Sequence, residues 1–256
     1  MKVFVIAAYV AAAFFASAGA VEIKVLSAGA VEPGIVRAAE AYRRATGNAI
    51  SVQFNTAPQL VKKLADGVVA DILIAPPGVL DAQTKDGKVL ADGRILLGRV
   101  GAGILVRAGA PLPDVATVEA MKRALLATDM VVYNTASSGI YIEKMLERIG
   151  VGDAVKAKTR RYPDGEAVMM HIINGKGNEI GFGAITEIKL FEPKGAKLVG
   201  PLPSEVQNYT SYGAALLANG PAKDAAKAFL TYLASAEAAN IFFDAGIEMK
   251  CCPSVH

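Results

Sequence analysis

The chain has 256 residues, is 53% hydrophobic and 20% charged, and carries a formal net charge of +3 at neutral pH. That balance lacks the strongly basic face on which nucleic-acid binding rests. Two histidines, His171 and His256, and one adjacent pair of cysteines, Cys251 and Cys252, fall short of the ligand number and spacing of a zinc site, so no metal and no cofactor is expected.

Residues 1–20 read as an export signal. Lys2 supplies the positive start, 3–15 is an apolar run, and Ala18-Gly19-Ala20 is the small-x-small pattern cut by a signal peptidase. The run is too short for a spanning helix, which needs about 20 apolar residues. No Cys follows the cut, so no lipid anchor is expected there. The mature protein should begin near Val21 and work in the periplasm as a monomer. Its net charge would be about +2, since Lys2 is the only charge removed. About 236 residues remain, enough for one large domain or two modest lobes.

The rest alternates short apolar runs with amphipathic segments, the pattern of an α/β protein. A strand at 23–26 leads through small residues into a helix opening near Pro33, with Ile35, Ala39, Tyr42 and Ala45 on its inner face and Gly47 as its stop. A strand at 50–54 precedes a helix from Pro58, whose expected buried stripe is Leu60, Val61 and Leu64. A fully apolar strand at 71–75 is ended by Pro76-Pro77. The second half repeats the order: strand 130–133, polar loop 134–138, helix 139–149 ended by Gly150, then a helix over 166–173 capped by Asp164. Strands at 179–182 and 211–217 and helices at 222–234 and 236–245 complete the chain. Cys251 and Cys252 are too close to pair with each other without strain, so they read as an incidental tail or an intermolecular contact.

Several segments carry a resemblance. SAGAVEPGI, AYRRATG and FNTAPQLVKKLADGVVADILIA in the first half are followed by RILLGRVGAGILVRAG, NTASSGIYIEKMLERIG and GNEIGFGAITE. YGAALLANG and AAKAFLTYLASAEAANIFFDAGI come last. In this order they resemble the periplasmic molybdate-binding proteins of ABC importers, over roughly residues 21–247. The resemblance implies a two-lobe periplasmic-binding-protein fold of the α/β class, with a mostly parallel sheet in each lobe and two crossing strands near 100–107 and 204–212. One lobe would combine 21–103 with 210–256, the other would be 104–209, and a small anion would be held between them for delivery to a membrane permease. In that family, serines in the first and second strand-to-helix loops give hydroxyls to the anion; here those positions fall at Ala30 and Ala57, or at Thr56 if the register slips by one. A tyrosine from the second lobe is replaced near Ala184. Ser138, with its neighbour Ser137, falls at the third contact and Glu166 near the fourth, both backbone donors. These departures leave the ligand open between an oxyanion and an organic acid.

The loops at 28–32, 55–57 and 135–138 precede helices, where free N–H groups and the helix dipole favour an anion without any cationic side chain. Each loop taken alone also reads as a plain helix cap. Arg107, Arg160 and Arg161 read either as carboxylate grips or as solvated charges. Tyr133, Tyr162 and Tyr212 belong to cleft or core, Tyr141 to core, and His171 to a packed helix face. No nucleophile elbow, phosphate loop or metal-hydrolase motif is present. Two functional classes follow. One is a receptor that captures a small anion. The other is an enzyme on the same scaffold, similar to aconitate isomerase, with Glu32 or Glu166 as base. A ligand sensor for a membrane partner remains a third.

Overall fold

The computed structural model describes residues 20–248, so the export signal, Cys251, Cys252 and His256 lie outside the described residues. The first half opens with β1 (Glu22–Ala28), a 3-10 turn (Gly29–Val31) and α1 (Glu32–Thr46), followed by β2 (Ala49–Asn55) and α2 (Ala57–Ala65). Next come β3 (Ile72–Ala75), α3 (Pro77–Lys85) and the long β4 (Ile95–Arg107). The chain then forms α4 (Val118–Ala127), β5 (Met130–Asn134), α5 (Ser137–Arg148) and α6 (Gly152–Lys156). After these stand β6 (Thr159–Tyr162), α7 (Gly165–Asn174), β7 (Glu179–Ala184) and α8 (Ile185–Phe191). The last elements are β8 (Ala196–Pro201), β9 (Tyr209–Leu216), α9 (Lys223–Leu233) and α10 (Ala236–Asp244).

The strands run in the order β2-β1-β3-β9-β4-β7-β5-β6, with β8 paired to β4. β1 pairs parallel with β2 and β3, and β5 pairs parallel with β6 and β7. Every antiparallel pairing involves β4 or β9. β4 is shared. Its residues 95–101 pair with β9, and those from Ala102 onward pair with β7 and β8. The fold is therefore mixed α/β, two parallel units tied by two long crossing strands.

Local chemistry accounts for the elements. α1 buries Ile35, Ala38, Ala39 and Tyr42 and stops at Gly47, whose φ of 79° is the left-handed conformation glycine adopts freely. Ala45 is exposed, because one turn past Tyr42 the helix has run off the sheet. α2 buries Leu60 and Leu64 but leaves Val61 exposed, its position falling off the inner stripe. Pro76-Pro77 ends β3 and also opens α3, since a proline at the first helical position gives up only an N–H that would be unpaired anyway. β6 reads polar at Arg160 and Arg161 because it lies at the edge of the order, with one strand neighbour.

The apolar core divides with the sheet. One cluster joins β1, β3 and α1 to β9, α9 and α10, with Tyr42 against Phe229 and Tyr232 at ring separations of 5.0 and 5.2 Å. On the other side, Ile104, Val131, Ile142 and Phe182 pack over one face of the second sheet. Leu105, Val132, Val168 and Met169 pack over its opposite face. Among the described residues no helix is long and apolar enough to cross a membrane.

Candidate functional site

Parallel strands point their carboxyl ends, and the helices that follow them their N-termini, toward one edge of a sheet, which is where α/β folds bind ligands. Here two such edges face each other. The turn after β1, the loop before α2, the start of α5, the start of α7 and the end of β7 surround one cavity of about 350 Å³. Ala30, Thr56, Ala57, Ser137, Ser138, Glu166, Ala184 and Glu32 all line it, as does Tyr212. The sequence candidates thus come together at one place.

Their bonding states differ. Thr56 forms a capping box with Gln59: its hydroxyl accepts from the Gln59 N–H, and its own N–H donates to Gln59 Oε1 at 2.8 Å. Pro58 has no N–H. The opening of α2 therefore keeps one free backbone donor, Ala57. At α5, Asn134 Oδ1 accepts from the N–H groups of Ala136 and Gly139, and the Ser138 hydroxyl is bonded to the same amide. The N–H groups of Ser137 and Ser138 remain in the first turn of that helix. At α7 the Asp164 side chain accepts from Ala167 N–H, leaving the first-turn N–H groups of Gly165 and Glu166.

Among the described residues, four of the five charged side chains lining the cavity are acidic: Glu32, Asp164, Glu166 and Glu187, against Lys194. Burial raises the carboxyl of Glu32 above the usual carboxylate range, with repulsion from Glu166 adding and Lys194 opposing. Glu187 is the centre of this group. Ringed by protein at the cavity wall, its carboxyl is pushed up to about 7 by burial, and by Glu32 and Asp164, against the lowering effect of the Ala184 N–H. A side-chain carbon at Gly29 would lie 2.9 Å from Glu187 Oε1, and one at Gly165 would lie 2.5 Å from Oε2, so the carboxyl occupies the space both glycines leave. Tyr212, buried beside it, has its phenol raised, first by burial and then by Glu187. Beside Glu187, the Thr186 hydroxyl donates to the Ala30 carbonyl at 2.5 Å, tying α8 to the turn that opens α1.

Glu187 escaped the sequence reading. Its signal is faint: a Glu three residues after Ala184, where a strand gives way to a helix, is the position of a capping carboxylate. The arginines lie elsewhere. Arg161 pairs with Glu143 at 2.9 Å and faces the ring of Tyr133; Arg160 is exposed; Arg107 ends β4 beside Ala196. Tyr133 is core, and Tyr141 packs against that core while donating to the Val206 carbonyl. His171 bonds Tyr162 through Nδ1 at 2.6 Å and stands 3.3 Å from Glu179, away from the cavity. Lys194 is the one cationic side chain lining the cavity among the described residues.

The sequence pattern of the family described as bacterial extracellular solute-binding protein matches residues 23–248. The chain belongs to this family. It is 32% identical over 232 residues to an aconitate isomerase from a Pseudomonas species, covering 88% of this chain and 87% of that protein. Among solved structures, the periplasmic molybdate-binding protein of Azotobacter vinelandii superposes with a TM-score of 0.76 at 16% identity, over 89% of this chain and 99% of its own. PEB3 bound to L-phospholactate superposes with a TM-score of 0.68 at 18% identity, over 88% and 99%. At such identities these two share the fold: a solute-binding scaffold of the molybdate-binding type.

Proposed function

We propose that this protein is a periplasmic receptor that closes two lobes on a small organic carboxylate and presents it to the permease of an ABC importer. The moving bodies would be 21–103 with 210–256, and 104–209, swinging about the crossing strands. Residues 1–20 would direct export and be removed. The observation that carries the ligand class is the cavity itself. It offers backbone N–H groups at Ala57, Ser137, Ser138, Gly165 and Glu166, alanine at Ala30 and Ala57 where hydroxyls would grip a compact oxyanion, and a volume of about 350 Å³. A carboxylate can use helix N-termini as an oxyanion does, and a longer skeleton fills the space those methyls leave. L-phospholactate in PEB3 shows one organic acid on this fold.

A thermal-shift panel of molybdate, tungstate, sulfate, phosphate and di- and tricarboxylates tests the reading. A ligand at 100 times its Kd stabilises by about 2.7 kcal/mol, so a true solute stands out. The largest shift should come from a carboxylate; a larger shift with molybdate would overturn the ligand class.

A second reading, an isomerase acting on a tricarboxylate, is favoured by Glu187 and by the 32% identical aconitate isomerase. A carboxyl held near 7 is suited to take a proton from the allylic CH2 of a propene tricarboxylate and return one to the far vinylic carbon as the double bond moves between them. Negative charge would build on the flanking carboxylate, against the helix N-termini. Incubation with cis- or trans-aconitate reads this directly: turnover that Glu187→Gln lowers by about 10²–10⁴ supports it, and no interconversion removes it.

A further inference from the structure

Glu187 stands where an anion site has least use for a fixed negative charge. Its carboxyl fills the gap between Gly29, at the opening of α1, and Gly165, at the opening of α7, so it touches both walls of the cleft. The titratable groups facing that gap are Glu32 on α1, Asp164 and Glu166 at the start of α7, Lys194 after α8, and Tyr212 on β9. Three of the five are carboxyls, and Lys194, exposed at the rim, is the only cation among them. An ionised Glu187 would repel an entering carboxylate, whereas a protonated Glu187 turns the same oxygen into a donor.

Resting on the reading of the cleft as a carboxylate site, we propose that Glu187 carries a proton into the closed complex and donates it as a hydrogen bond to a ligand carboxylate. The solute is then captured together with one proton, and the cleft selects acids able to accept that bond. The proton comes from solvent and returns to it on release, with no other bond made or broken. Burial and the neighbouring carboxylates hold Glu187 near 7, so uptake falls around neutral pH. The two glycines are part of the device: a methyl at either would push the carboxyl out of the gap.

Calorimetry with trans-aconitate and with tricarballylate, at pH 8 in two buffers of different ionisation enthalpy, counts protons taken up on binding. The wild type should take up close to one proton more than Glu187→Gln, any titration of the ligand itself being common to both. Wild-type affinity should fall by about tenfold between pH 6 and 8 relative to the variant, as expected for one group near 7 that must be protonated in the complex. Melting of the unliganded proteins confirms that the variant folds and checks the sign. A carboxyl raised above its unfolded value loses its favourable contribution as pH rises through 7, so wild type should melt progressively lower relative to Glu187→Gln from pH 5 to 8. Binding with equal proton uptake by both proteins overturns the proposal and leaves the carboxylate reading standing. No binding of these acids or of any di- or tricarboxylate in the thermal-shift panel overturns both.

Discussion

The two walls of the cleft reach the same kind of site by unequal means. On the wall built from α1 and α2, helix capping consumes donors: the Thr56–Gln59 box and Pro58 leave Ala57 as the free N–H of α2, and Glu32 adds a carboxyl. On the wall built from α5 and α7, the caps come from Asn134 and Asp164, and two N–H groups at each helix stay available. Their cores differ too. The first packs into one cluster around Tyr42, Phe229 and Phe242, and the second splits into two layers across its sheet. The difference lies in capping: the second wall keeps more free first-turn N–H groups than α2 does on the first.

Several substitutions test that contrast. The largest effect belongs to the single core. Phe229→Ala removes a fully buried ring in contact with Tyr42 and should cost about 3–5 kcal/mol in denaturant unfolding, more than the loss at any cleft residue. Next comes Thr186→Val, which strands the buried Ala30 carbonyl between the walls. It should cost about 1–3 kcal/mol and show by solution scattering a wider separation of the lobes; an unchanged profile would deny the bond a role in closure. Gly165→Ala meets only the flexible end of Glu187, so it should leave the melting temperature within a few degrees while weakening carboxylate binding by about tenfold, or about 1.4 kcal/mol. Thr56→Ala opens the capping box on the first wall and should cost about 1 kcal/mol of stability with less effect on binding than Gly165→Ala. Smallest of all, Arg161→Ala breaks an exposed pair with Glu143 and should change stability by less than about 1 kcal/mol and binding not at all; a loss of binding would restore the arginine to the site.

Much of the fold was legible in the chain because it rests on short-range rules. The apolar run of β3, the proline that opens α2 and the glycine that stops α1 announce themselves within a few residues. The positions at Ala30, Thr56, Ala57, Ser137, Ser138, Glu166 and Ala184 came from the family resemblance, since each loop by itself reads as a plain helix cap; all of them line the cavity. What escaped depends on neighbours far away in sequence. α3 hides behind Pro76-Pro77, which reads locally as a stop and becomes a start once β3 and β9 give the helix a surface to cover. α8 is only about two turns long, and packing far from it in sequence explains it: Ile188 and Phe191 join the core over the second sheet, and Thr186 bonds the turn before α1.

Alternation of apolar runs and amphipathic segments determined the α/β class and the strand-to-helix loops, because backbone propensity and capping are local, and the family resemblance picked out the loops that line the cleft. Tertiary structure alone decided which side chain sets the electrostatics of the cleft. Glu187 is an ordinary capping carboxylate in sequence. Its carboxyl is pushed up to about 7 because Gly29 and Gly165, 158 and 22 residues before it, let two walls close against it, and burial there disfavours its charged form.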